Sequence, residues 1–286
     1  MHLRFPIAAG SFYPSDDEEL NRVIDEFLEK AYVEISEVPL AIVSPHAGYV
    51  FCGKVMAHVY KALSYAKDIE TAIILGPNHY GRGLISTCTG IWKLPNAEFL
   101  TDNEFICVLM EKLPLEDNPE HHAWEHSIEV QLPWIARILG EKIKIVPIAV
   151  NPAIFEKEEM ISLGEAIYEA CKELNKKVVV IASSDFTHYG IAYNYIPFTG
   201  SPSEILEKIK QTDMNLIEAI QELDTEKIIE LGSKSTVCGY GCIAAMVEYA
   251  KLAGAKEAKL LDYTTSFEVS KTTDAIVAYA GIAVMK

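Results

Sequence analysis

The sequence predicts an α/β protein built on a mixed, mostly parallel sheet. Three observations carry that expectation. First, short apolar runs alternate with helical patterns: Leu40-Ala41-Ile42-Val43-Ser44, Thr71-Ala72-Ile73-Ile74-Leu75 and Val178-Val179-Val180-Ile181 are strand-sized and apolar throughout, as strands covered on both faces must be. Second, each of these runs leads directly into a cluster of small polar and ionisable residues. Ligands of open α/β sheets bind beyond strand ends of this kind. Third, two strand-like runs, Lys259 to Phe267 and Ala275 to Val284, have no helix between them, which predicts an antiparallel hairpin joined to the parallel strands.

The remaining elements follow in order. Arg4 to Pro14 is irregular but apolar, so it is expected to pack rather than fray. Ser15-Asp16-Asp17-Glu18 fits a capping box with Ser15 as the cap, and Leu20, Val23, Ile24, Phe27 and Leu28 continue a helix to about Tyr32. A helical pattern covers roughly Cys52 to Tyr65, and Leu84 to Cys88 reads as a strand. Thr101-Asp102-Asn103-Glu104 is a second capping box, opening a helix through Lys112. Pro114 to Glu125 is polar, acidic and His-rich, and reads as a surface or pocket-facing loop. Ile128 to Leu139 has helical spacing, with Pro133 near its start or at a kink. Ile143 to Val150 reads as a strand, Glu156 to Leu174 as an amphipathic helix, and Glu204 to Leu231 and Gly239 to Ala253 as helical. No repeat, low-complexity tract or linker interrupts the pattern, so one domain over residues 1–286 is the simplest organisation.

Half of the 286 residues are hydrophobic, enough for a sizeable core. The net charge of −16 argues against a general nucleic-acid binder, which needs a basic face. The apolar runs are too short for membrane helices, and the first residues lack a signal-peptide core, so a cytoplasmic protein with no membrane partner is expected. The six cysteines form no Cys-x-x-Cys pair, and disulfides are not expected in a reducing compartment. Cys107 and Cys171 fall in helical patterns and are expected in the core; Cys242, a turn beyond Cys238, is expected to pack.

His46 and His79 each sit just past a predicted central strand, as do Asp185 and His188. Successive parallel strands end on one edge, so these residues should converge. Neutral imidazole is the commonest protein ligand for first-row metals. Asp185 near His188 suits general acid–base work if their loop coils into a helical turn; a surface turn is the plainer alternative. Cys238 precedes Gly239 and a predicted helix start, a position that favours the thiolate, as nucleophile or as metal ligand. In Glu125-His126-Ser127-Ile128-Glu129-Val130-Gln131-Leu132-Pro133, His126 and Glu129 stand among apolar residues and either meet solvent or line a pocket.

Taken together these pieces resemble the Memo family, also called AmmeMemoRadiSam system protein B. The segments that carry the resemblance are Ala9-Gly10-Ser11-Phe12-Tyr13-Pro14, Pro45-His46-Ala47-Gly48-Tyr49, Gly76-Pro77-Asn78-His79, Glu125 to Pro133, Ser183-Ser184-Asp185-Phe186-Thr187-His188 and Cys238-Gly239. The resemblance implies a three-layer α/β/α domain similar to class III extradiol (LigB-like) dioxygenases. In those enzymes two His and a carboxylate hold Fe(II), and another His acts as acid/base. Carried over, His46 and His79 match the His ligands, Cys238 the carboxylate ligand, and His188 the acid/base. Asp185, His126 and Glu129 would line the pocket, with Phe12 and Tyr13 from the first segment. Cys238 thus replaces a carboxylate, and Phe12 stands where many relatives carry Trp. The resemblance further implies association with AMMECR1-like and radical-SAM proteins.

Three functions compete at this point. One is a non-haem iron-dependent oxidoreductase or metal-binding protein, with Fe(II) at His46, His79 and Cys238; copper and zinc also suit those donors. The second is a metal-free Cys–His hydrolase or transferase with Cys238 as nucleophile. The third is a non-catalytic adaptor that takes a peptide or phosphopeptide in the same cleft.

Overall fold

The computed structural model describes residues 2–35, 37–66 and 68–286. The chain opens with β1 (Leu3–Arg4), α1 (Asp17–Lys30), β2 (Ala41–Ser44), α2 (Tyr49–Leu63) and β3 (Thr71–Pro77). Short strands β4 (Ile85–Thr87), β5 (Ile91–Lys93) and β6 (Glu98–Leu100) precede α3 (Asn103–Lys112), β7 (Leu115–Asp117) and the single turn α4 (Pro119–His122). Then come α5 (Leu132–Leu139), β8 (Lys144–Val150), α6 (Lys157–Leu174), β9 (Val178–Ser183) and β10 (His188–Tyr189). Helices α7 (Pro202–Gln221), α8 (Thr225–Gly232) and α9 (Tyr240–Leu252) lead to β11 (Glu257–Thr265), α10 (Phe267–Ser270) and β12 (Ile276–Met285).

Nine strands form one sheet in the order β10-β12-β2-β9-β3-β8-β4-β7, with β11 also paired to β12. The central strands β2, β9, β3 and β8 are parallel. β12 runs antiparallel to β2, and β11 antiparallel to β12, which is the expected C-terminal hairpin with α10 set into its turn. A separate three-stranded sheet joins β1, β5 and β6.

Alternation along each central strand divides the core. Val43, Ile73, Leu75, Val146, Val180 and Ala182 pack with residues of α3, α6, α7 and α9 on one face. Ile42, Ile74, Ile145, Val179 and Ile181 pack with residues of α1, α2 and α5 on the other. Successive strand residues point to opposite faces, so strands apolar throughout require helices on both sides. The result is the expected layering of helices, sheet and helices.

Local departures have local causes. The cap of α1 is Asp16 rather than Ser15: Asp16 is extended and its carboxylate accepts the Glu19 N–H at 2.9 Å. Asp102 likewise replaces Thr101 as the cap of α3. The pattern from Glu204 to Leu231 is two helices, broken where Leu223 turns through a positive φ of 56°. Pro133 lies in the first turn of α5, where its missing N–H costs nothing. Cys107 is exposed, contrary to expectation, because Phe105, Ile106, Val108 and Leu109 take the buried face of α3. The segment from Pro114 to Glu125 lies at the surface as expected, with Glu116, Asp117, Glu120 and Trp124 exposed, but it is not a plain loop: it holds β7 and α4, and buries His122 and Glu125 to 0% and 1% exposure. No helix among the described residues is long and apolar enough to cross a membrane.

Candidate metal centre

His46, His79 and Asp185 each stand two residues past the end of a central strand, β2, β3 and β9 respectively. Their parallel alignment brings these residues to one edge, as the topology demands. His126 arrives from the turn before α5. The His46 and His79 ring centroids are 5.2 Å apart, those of His79 and His126 4.9 Å, and those of His46 and His126 5.5 Å. One ring nitrogen from each of the three lies within 4.8 Å of the others.

The hydrogen bonds fix which nitrogens are free. His46 Nδ1 is 2.9 Å from Ser183 Oγ. That hydroxyl gives its single proton to the Ser127 carbonyl at 2.7 Å and accepts from Gln131 Nε2 at 2.9 Å. His46 Nδ1 must therefore donate, which leaves the lone pair on Nε2. His79 Nδ1 lies 3.0 Å from Glu125 Oε1, while the His79 backbone N–H donates to Glu125 Oε2 at 2.6 Å. His126 Nδ1 is 3.5 Å from the same Oε1. His188 Nδ1 faces two carbonyl oxygens, of Phe186 at 2.9 Å and Thr236 at 3.0 Å, so its lone pair too is on Nε2.

The three imidazoles differ in electrostatics. Burial, reinforced by the neighbouring histidines, holds His46 well below the usual imidazole range. Burial also lowers His126, to about 4, against the pull of Glu125. For His79 burial lowers the pKa, but its hydrogen bond and charge interaction with Glu125 outweigh this and raise it. Glu125 is the reciprocal case: burial raises it, and the bond and charge of His79 bring it down to about 2.

His46, His79, His126, Asp185 and His188 share with Phe12 the wall of a cleft of about 470 Å³. Asp185 and His188 do not share a helical turn. Their loop is irregular and places His188 in β10 opposite Val277. The Asp185 carboxylate accepts the His46 backbone N–H at 2.8 Å, and burial raises its pKa against the charge of His188. Cys238, expected as the third ligand, stands on the Nε2 side of His46, its Sγ 3.4 Å from His46 Nε2 and accepting the Asp185 backbone N–H at 3.3 Å, while the three-residue cluster is completed by His126. The expected lowering of its pKa by α9 is not found. Burial and then the Asp185 charge push the thiol well up, overriding the helix terminus. Gly239 lets this segment approach β9: a Cβ there would lie 2.5 Å from the Ser183 carbonyl oxygen.

Two residues expected to line the pocket lie outside the cleft wall. Glu129 is fully buried and turned away, accepting from Arg4 Nη1 at 2.5 Å and from the Ala8 N–H at 2.8 Å. The Tyr13 phenol donates to the same carboxylate at 2.6 Å. Four backbone and side-chain donors claim Glu129, so it serves as an anchor for the N-terminal segment. Phe12 does reach the cleft, its ring 4.5 Å from that of His126. Sequence reasoning missed Glu125 and Arg4 as participants. The one available signal for Glu125 was a carboxylate directly before a histidine; Arg4 gave none.

The fold and the site together define an α/β protein with a histidine-rich cleft at the carboxyl ends of its central strands. The model of the Memo-like proteins matches residues 4–283, and this chain belongs to the Memo family. It is 43% identical to a MEMO1 family protein of Thermococcus onnurineus, over 99% of this chain and 100% of the relative. It is 42% identical to MEMO1 family protein TK1477 of Thermococcus kodakarensis, over 98% of each chain. It is also 42% identical to MEMO1 family protein PF1638 of Pyrococcus furiosus, over 99% of each. Among solved structures, the uncharacterized protein JW3007 of Escherichia coli K12 overlays with a TM-score of 0.47 at 12% identity, over 86% of this chain and 100% of that one.

Proposed function

We propose that this protein binds a divalent first-row transition metal between His46, His79 and His126, with Cys238 beside His46. The single observation behind this reading is the convergence of three imidazole nitrogens within 4.8 Å. The donor chemistry fits: imidazoles, two of them with Nδ1 hydrogen-bonded elsewhere, suit iron, copper and zinc. The family resemblance favours Fe(II) among these, and with it a non-haem oxidoreductase. A bound ion would supply Lewis-acid and, for iron, redox chemistry.

The chain's own residues supply the rest. His188 presents an Nε2 lone pair, able to take a proton from a ligand in the cleft, while its Nδ1–H is anchored. Asp185 fixes the His46 loop through the backbone and faces the same space. Phe12 packs against His126 at the cleft wall. A cleft of about 470 Å³ suits a small molecule. Among the described residues that line it there is no lysine or arginine, which disfavours a phosphopeptide. The half-buried Cys238 thiol, its pKa pushed up by desolvation and by the Asp185 charge, disfavours a metal-free nucleophile.

Metal analysis of anaerobically purified protein, before and after incubation with Fe(II) or Zn(II), tests the reading. About one ion per chain is expected, lost in His46→Ala and in His79→Ala variants that remain folded. Wild-type protein that takes up far less than one equivalent of either metal would sink it.

A further inference from the structure

We propose that Glu125 is the positioning residue of this centre: one buried carboxylate orients two of its three imidazoles. The inference rests on the metal-binding reading above and goes a step beyond it.

The geometry is specific. Glu125 Oε2 accepts the His79 backbone N–H at 2.6 Å, and Oε1 lies 3.0 Å from His79 Nδ1. The same Oε1 is 3.5 Å from His126 Nδ1 and accepts the Ser127 N–H at 2.8 Å. His79 is thus hydrogen-bonded through Nδ1 to the carboxylate, which leaves its Nε2 for an ion, and His126 turns its Nδ1 toward the same oxygen at the longer ion-pair distance. The two rings stack at 17°, as planes sharing one anchor can. A carboxylate behind a ligating histidine fixes its tautomer and raises its basicity. Here one carboxylate does this for two ligands, whereas His46 leans on the neutral hydroxyl of Ser183.

Glu125 is itself held from behind. Arg4 Nη2 donates to the Glu125 carbonyl at 2.7 Å, and Arg4 Nε to the His122 carbonyl at 3.2 Å. The guanidinium lies 4.3 Å over the Trp92 ring and is 4% exposed. A buried carboxylate fixed through both its main chain and its side chain is costly to build unless its position matters. The position it sets is that of His79 and His126.

The test compares wild type with Glu125→Gln, using Zn(II) alone as the probe in competition with a chromogenic chelator. Affinity is expected to fall 10- to 100-fold. Nitrogen-15 spectra of the metal-free proteins supply a second readout. In wild type His79 should carry its proton on Nδ1, and in Glu125→Gln that preference should weaken. A folded variant that binds zinc within twofold of wild type overturns the proposal. So does wild-type His79 protonated on Nε2 alone, a measurement that stands even if the variant fails to fold. If wild type binds no zinc, the metal reading fails separately, and the tautomer still decides whether Glu125 orients the rings.

Discussion

Replacing Glu129 with alanine is expected to destabilise the protein by roughly 3–5 kcal/mol, the cost of breaking a buried ion pair from one side. Arg4 and Glu129 meet at 2.5 Å with side-chain exposures of 4% and 0%. Without the carboxylate, the backbone N–H groups of Ile7 and Ala8 and the Tyr13 phenol lose their acceptor in the interior. The guanidinium keeps the His122 and Glu125 carbonyls and the Trp92 face, but has no counter-charge. Urea denaturation of the folded variant reads the loss directly. A change under about 1 kcal/mol would mean that the N-terminal segment is not anchored here. An Arg4→Met, Glu129→Leu double variant should recover part of the loss, since apolar replacement of a whole buried pair is often neutral. Recovery of stability without recovery of metal uptake would separate the two roles of Arg4.

The second large effect concerns Asp213 on α7, which is buried and accepts from the Thr187 hydroxyl at 2.6 Å and from the Tyr263 phenol at 2.7 Å. Burial raises its pKa from 3.8 to about 6, against the hydrogen bonds from Thr187 and Tyr263. The sign is opposite to that of a salt-bridged carboxylate. The folded protein holds the proton more tightly than the unfolded chain, so this group's contribution is most favourable below pH 4 and is lost as pH rises through 6. The shift corresponds to about 3 kcal/mol. In Asp213→Asn this contribution is absent at every pH. The stability of wild type minus that of the variant should therefore fall by about 2 kcal/mol between pH 4 and pH 7, the rest of the shift being expressed below pH 4. A difference that stays flat over that range would show that Asp213 titrates normally. Asp213 holds Thr187, the residue before His188, so the same variant also tests whether that loop depends on its anchor.

Much of this architecture was legible in the sequence because it rests on patterns the chain repeats. Four apolar runs gave the central strands, and three polar strand ends gave His46, His79 and Asp185, since parallel strands leave no other place for those loops to meet. What escaped was set by contacts between distant segments. Glu125 looked like one acid in a polar stretch, and its burial depends on Arg4, more than a hundred residues away. Glu129 carried the right chemistry for a cleft but faces the opposite way, because Arg4 and the Ile7–Ala8 backbone claim it. The Cys238 thiol was misjudged for a related reason. A helix start can be read from Gly239 onward, but the burial and the neighbouring Asp185 carboxylate that override it cannot. Caps were misplaced by one residue, at Ser15 for Asp16 and Thr101 for Asp102, where adjacent residues are equally able to cap.

The position of β2 bears on how the molecule refolds. This strand of four residues, Ala41–Ser44, lies between β9 and β12, with Val43 opposite both Ala182 and Ile282. Both pairings close very long loops, and contacts so distant along the chain are slow to form. His46 hangs directly from the end of β2, so the centre cannot take shape until those late pairings lock. Zinc uptake during refolding is expected to lag behind the return of helical circular dichroism, and simultaneous recovery of the two signals would show that β2 docks early.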